Sequence, residues 1–126
     1  MPQPVSVKLW ISIAGAMGCW AVAMGAFGAH ALRDRLEPNL LNAYQTGAAY
    51  HLVHSVVLLA LALYGSATSK SLGLAPPLLL AGTLLFSGSL YVMAVTGVRG
   101  LGAVTPFGGV LLLLGWGAIA WQLARA

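Results

Sequence analysis

Eight ionised side chains decide most of what this chain can fold into. They are Lys8, Arg33, Asp34, Arg35, Glu37, Lys70, Arg99 and Arg125. Between them run uncharged stretches at 9–32, 38–69, 71–98 and 100–124, of 24, 32, 28 and 25 residues. Each exceeds the ~20 residues that a helix needs to cross ~30 Å of hydrocarbon. A charge at the bilayer centre is costly, so charges confined to gaps and chain ends are what spanning helices require. Composition closes the water-soluble alternative. The chain is 60% hydrophobic and 6% charged, whereas a soluble domain carries about 25% charged residues. A domain this small also buries only about two-thirds of its surface. The alternation of a membrane barrel is absent. The expected fold is therefore an all-α membrane protein: a single domain over 1–126, a bundle of four transmembrane helices. An even count puts both termini on the same side.

Punctuation places the helices at about 9–31, 40–64, 76–97 and 105–124. Trp10 reads as an interfacial anchor. Pro38 biases Glu37 away from helix, and Asn39 is the expected cap of the second span. Tyr44 and Tyr64 lie 20 residues apart, about 30 Å along a helix, and read as its two aromatic belts. Gly65 fits a helix stop. Pro76 and Pro77 suit a first helical turn, and Thr105-Pro106 repeats that signature with Thr105 as cap. Ala29-His30-Ala31 has the form of a signal-cleavage triplet. The apolar run before it is longer than the ~7–15 residues of a signal peptide, so the first helix is expected to be retained.

Orientation rests on a tied count. Lys8, Lys70 and Arg125 fall on the side of the termini, and Arg33, Arg35 and Arg99 on the other. Around the first helix the loop outweighs Lys8, which places the termini outside; a tie is also the pattern of dual topology. The net charge of +4 is scattered, so no basic patch for nucleic acid or anionic headgroups forms. The lone Cys19 permits neither an intrachain disulfide nor a cysteine zinc site. Membrane lipid is the expected surrounding. Small residues at Ala14, Gly18 and Val22, at Ala21, Gly25 and Ala29, and at Gly108, Gly115 and Ala118 allow close helix packing. Two such lines on one helix exceed what one neighbour needs, which makes a homo-oligomer plausible.

The polar residues inside the spans carry what chemistry there is. On the second helix Gly47, Tyr50, His51, His54, Leu58 and Leu61 share a face; on the third, Ser87, Tyr91 and Ala94 do. Polar atoms are expensive in lipid, so both faces should turn inward, with His54 meeting Ser87 near the midplane and Tyr91 reaching Tyr50 or His51. The expected polar core is His30, His54, Ser87 and Tyr91, centred on His54. Three readings compete for it: hydrogen-bonded packing, a metal or haem site from His30, His51 and His54, and a small-solute transporter or channel pocket of His54, Ser87 and Tyr91. No carboxylate or thiolate completes a metal set, so no cofactor is assigned. The span below His54 is almost wholly apolar, which seals a pore. Asp34 and Glu37 are loop residues while the serines lie deep, so no catalytic triad forms and no enzyme is expected. The glycine pairs lack the strand and lysine of a phosphate loop.

Motifs on all four helices carry a resemblance. Gly25-Ala-Phe-Gly-Ala-His-Ala-Leu32 closes the first helix. Gln45-Thr-Gly-x-x-Tyr50-x-x-x-His54 opens the second. Leu85-Phe-Ser-Gly-Ser-Leu-Tyr91 centres the third, and Thr105-Pro-x-Gly-Gly109 with Gly115-Trp116 marks the fourth. Together they resemble the YgdD-like family of small bacterial inner-membrane proteins, a domain of unknown function with a eukaryotic transmembrane relative. The resemblance implies four spans, an inner-membrane location and no established activity. Its polar motif positions fall on His30, Gln45, Thr46, Tyr50, His54, Ser87, Ser89, Tyr91 and Thr105. His51 stands outside that pattern, which weakens a metal pair with His54.

Overall fold

The computed structural model describes residues 5–125. Helix α1 spans Val5–Phe27 and runs on into a π turn at Gly28–Leu32. Helix α2 spans Pro38–Thr68 and α3 spans Ala75–Thr96. A 3-10 turn at Arg99–Ala103 leads into α4, Thr105–Ala118, which ends in a second π turn at Ile119–Leu123. No strand occurs among the described residues. Four segments, Val7–Leu32, Pro38–Thr68, Ala75–Thr96 and Arg99–Leu123, are each long and apolar enough to span a bilayer.

The helix ends correct several sequence expectations. α2 starts at Pro38 itself, with Glu37 extended before it at φ −55° and ψ 144°, so Asn39 lies inside the helix. The proline ring presets a helical φ and forces its predecessor out of the helical region, so no side-chain cap is needed. Gly65 does not stop α2. The helix continues to Thr68 and closes on Ser69, whose φ is 59° and whose N–H donates to the Gly65 carbonyl. Gly65 has another use: a Cβ there would lie 3.1 Å from Leu72 Cδ2, so it admits the returning loop. α3 ends on Gly97 at φ 74°, the left-handed stop that glycine favours. Thr105 is not the cap of α4 but its first residue; Val104 holds the cap position with no side-chain bond.

Packing follows chain order. α1 lies on α2, α2 on α3 and α3 on α4, and these are the strong helix pairings. α1 presents a seven-residue repeat, Val7, Ala14, Ala21 and Gly28, with Trp10, Met17 and Met24 between. α2 answers with Tyr44, His51 and Leu58, while Gly47 on its next row meets α3. Such a repeat keeps two helices in register along one seam. The small-residue lines expected on α1 divide differently: Ala14 and Ala21 are buried, whereas Val22, Gly25 and Ala29 face outward. On α4 the expected line does pack. Gly108 and Gly115 are buried against α3, and their close approach leaves no room for a Cβ. A Cβ on Gly108 would overlap the Phe86 backbone; one on Gly115 would lie 2.5 Å from Leu79 Cδ2.

The interior has two halves. An apolar cluster of Ala14, Leu58, Leu61, Ala75, Leu79 and Leu112 fills one. Tyr44, Tyr91, Ala94 and Leu32 pack in the other, where buried His51 bonds Tyr91.

Candidate functional site

Tyr44, His51 and Tyr91 form the centre of the polar half, and all three are buried. His51 Nδ1 shares a 2.9 Å hydrogen bond with the Tyr91 hydroxyl across the α2–α3 seam. The Tyr44 hydroxyl donates to the Met24 carbonyl of α1. Trp20 of α1 meets the His51 ring edge-on, with centroids 4.6 Å apart, and Tyr44 and Tyr91 lie at 5.1 Å. His51 Nε2 is buried without a hydrogen-bond partner among the described residues. Tyr44 is therefore a core residue and not the interfacial belt that its spacing from Tyr64 indicated.

Ser87 does not meet His54. Its hydroxyl donates to the Gly47 carbonyl at 2.7 Å. Gly47 makes this possible: a Cβ there would lie 3.2 Å from Leu90 Cβ, so glycine lets α3 come close enough to bond the α2 backbone. Ser89 of α3 and Thr105 of α4 share a 2.6 Å hydroxyl–hydroxyl bond. Tyr91 reaches His51, as one of its two expected partners, and not Tyr50.

His54 sits apart from this centre, towards α4. Its Nδ1 lies 2.7 Å from the Tyr50 carbonyl, and its Nε2 is 3.1 Å from Trp116 Nε1. A carbonyl only accepts and an indole N–H only donates. Those two partners fix His54 as the neutral tautomer that carries its proton on Nδ1. Tyr50 is half exposed and stacks on Phe86 with centroids 4.4 Å apart.

The remaining motif positions lie outside the polar interior. His30 is exposed in the π turn, so it does not join the core in which the sequence placed it. That turn begins at Gly28, where a Cβ would collide with the Tyr44 ring, and His30 on the widened coil faces outward. Gln45 and Thr46 are exposed, and Thr46 bonds its own helix at Asn42. His30, His51 and His54 thus diverge, and no group of three metal-binding side chains converges among the described residues. Sequence reasoning placed His51 beside Tyr91 but gave it no central role. It missed Tyr44, Trp20 and the Trp116 partnership of His54. The seven-residue repeat through Tyr44 and His51 was the available signal.

Comparison with known proteins gives the family. No solved structure matches the chain. It is 41% identical over 110 residues to a UPF0382 membrane protein of Staphylococcus epidermidis, covering 87% of this chain and 90% of that one. The UPF0382 membrane protein YwdK of Bacillus subtilis is 38% identical over 112 residues, covering 87% and 91%. A UPF0382 membrane protein of Haemophilus influenzae is also 38% identical, covering 89% and 90%. Residues 24–109 match the family described as "Protein of unknown function (DUF423)". That stretch holds Tyr44, His51 and Tyr91 together with Gly47 and Gly108, and the chain belongs to this DUF423 family of membrane proteins.

Proposed function

We propose that this chain is a structural or interaction module of the bacterial inner membrane, a single four-helix domain of the YgdD-like kind. Both termini lie on one face, outside, and no catalytic step is involved. One observation carries the reading: buried side chains on each of the three helix seams make hydrogen bonds between different helices. Tyr44 joins α2 to α1, His51–Tyr91 and Ser87–Gly47 join α2 to α3, and Ser89–Thr105 joins α3 to α4. Below them the interior is filled by apolar side chains, so the polar groups do not continue as a path for a solute. Neither carboxylate belongs to a span: Glu37 pairs with Arg99 at the surface, and Asp34 is an exposed loop residue.

Single interhelical hydrogen bonds in membranes contribute about 0.6 kcal/mol on average and up to ~2. Ser87→Ala and Tyr91→Phe should therefore each lower the melting temperature of the detergent-solubilised protein, and the double variant more than either. Proteoliposomes should show no solute flux above empty vesicles. Unchanged melting temperatures in all three variants would defeat the tie reading. Cysteine-accessibility labelling of the two termini checks their side.

A further inference from the structure

α2 and α4 both pack on α3 but scarcely on each other; the Trp116–His54 bond joins their side chains. The gap between them is a cleft with Phe86 at its floor. One hollow of about 390 Å³ is lined by Tyr50, His54, Phe86, Gly109 and Trp116. A second, of about 600 Å³, continues from Trp116 between Val57, Tyr64, Ile119 and Leu123, and it is almost wholly apolar. Both lie in the size range of ligand sites, which are mostly apolar with a few placed polar groups.

The first hollow sits at mid-bilayer depth. α2 spans Pro38–Thr68, so Val53 is its midpoint and His54 follows at once; Phe86 lies at the midpoint of α3, Ala75–Thr96. In this hollow both His54 nitrogens and the Trp116 N–H are already used. The Tyr50 hydroxyl has no hydrogen-bond partner among the described residues, although Tyr50 stacks on Phe86. Tyr50 is three residues from Val53, about 4.5 Å along the axis. Phospholipid carbonyls lie at the hydrocarbon edge, ~15 Å from the centre. An unpaired hydroxyl in hydrocarbon is costly.

A fitting occupant is uncharged, because no ionised group lines either hollow. It has a planar ring to lie among aromatic walls and a carbonyl oxygen to accept from Tyr50. It also has a long apolar chain to follow the second hollow, and it reaches the bilayer centre. That is the chemistry of an isoprenoid quinone. We propose that the lipid-facing cleft between α2 and α4 binds a membrane quinone, its ring held by Tyr50, Phe86 and Trp116 and its chain in the apolar trough. This site stands beside the structural ties and shares none of their interhelical bonds.

The test uses the full chain in phosphatidylcholine nanodiscs titrated with a decyl-substituted benzoquinone, read by quenching of tryptophan fluorescence. Saturable quenching is expected. Tyr50→Phe removes only the hydroxyl and should raise the half-saturation concentration about three- to tenfold, the worth of one hydrogen bond. Gly109→Leu should abolish saturation. A Cβ at Gly109 would meet only Phe86 Cδ2, at 3.9 Å, so its side chain enters the hollow without displacing a helix. Ala60→Phe, which blocks the trough from α2, repeats that arm should Gly109→Leu alter the melting temperature. Decylbenzene, with the tail but no carbonyl, should not compete. Linear quenching that is the same in all variants would overturn the proposal. So would full competition by decylbenzene, which would make the cleft a seat for any apolar chain.

Discussion

His54 illustrates how a residue's level in the sequence differs from its partner in space. Counting residues from Tyr44 placed it opposite Ser87. In the structure Ser87 faces Gly47, seven residues earlier on α2 and about 10 Å away along the axis. The count began from Tyr44 as an interface marker, and Tyr44 is buried in the core. That Ser87, Tyr91 and His54 turn inward was legible, because polar atoms are costly in lipid. Their partners were not legible, because backbone carbonyls and an indole N–H competed for them. His54 between a carbonyl and an indole N–H has one satisfactory protonation state. Nitrogen NMR of the labelled protein should show a protonated Nδ1 and an unprotonated Nε2. Trp116→Phe should leave Nδ1 protonated and shift the Nε2 resonance alone. An Nε2-protonated ring in the parent protein would refute the arrangement.

At the scale of elements, α3 and α4 are held by close backbone approach. A Cβ on Gly82 would lie 2.8 Å from the Leu112 nitrogen, and one on Gly108 would lie 2.9 Å from the Gly82 carbonyl. Backbone cannot rotate away as a side chain can. Gly108→Ala should therefore destabilise the protein by about 1–3 kcal/mol, the usual cost of overpacking. Gly117 on the same helix meets nothing within 4 Å. Gly117→Ala should leave stability equal or raise it by up to about 1 kcal/mol, since alanine is the better helix former. Thermal unfolding of the two variants side by side decides the matter; an equal gain in both would mean that helix propensity and not contact sets the effect. The small residues of α4 were legible as packing positions from their spacing. Those of α1 were misread, since spacing by four also fits an outward row, while the seam follows the seven-residue repeat through Met17 and Met24.

At the scale of the whole molecule, the four spans were legible from eight charges, because charge placement in a membrane is enforced by large energies. The two connections at one end are joined by Arg99 and Glu37, whose side chains lie 2.8 Å apart and stay more than half exposed. An exposed pair contributes about 0.2–1 kcal/mol and is screened by salt. Glu37→Gln should lower the melting temperature slightly at low ionic strength and not at all at high salt. A large, salt-independent loss would show that the carboxylate has a further role.

Each helix after the first packs on the helix made just before it. During synthesis, every helix after the first meets a packing partner already inserted. The α1–α2 hairpin can close while α3 is still being translated, and α3 offers its glycine face before α4 emerges. Domains made on the ribosome fold from the N-terminus onward, and local contacts assemble fastest. The polypeptide thus enters the membrane in the order in which it is read. Its last helix, seated mainly on one neighbour, is the last to arrive.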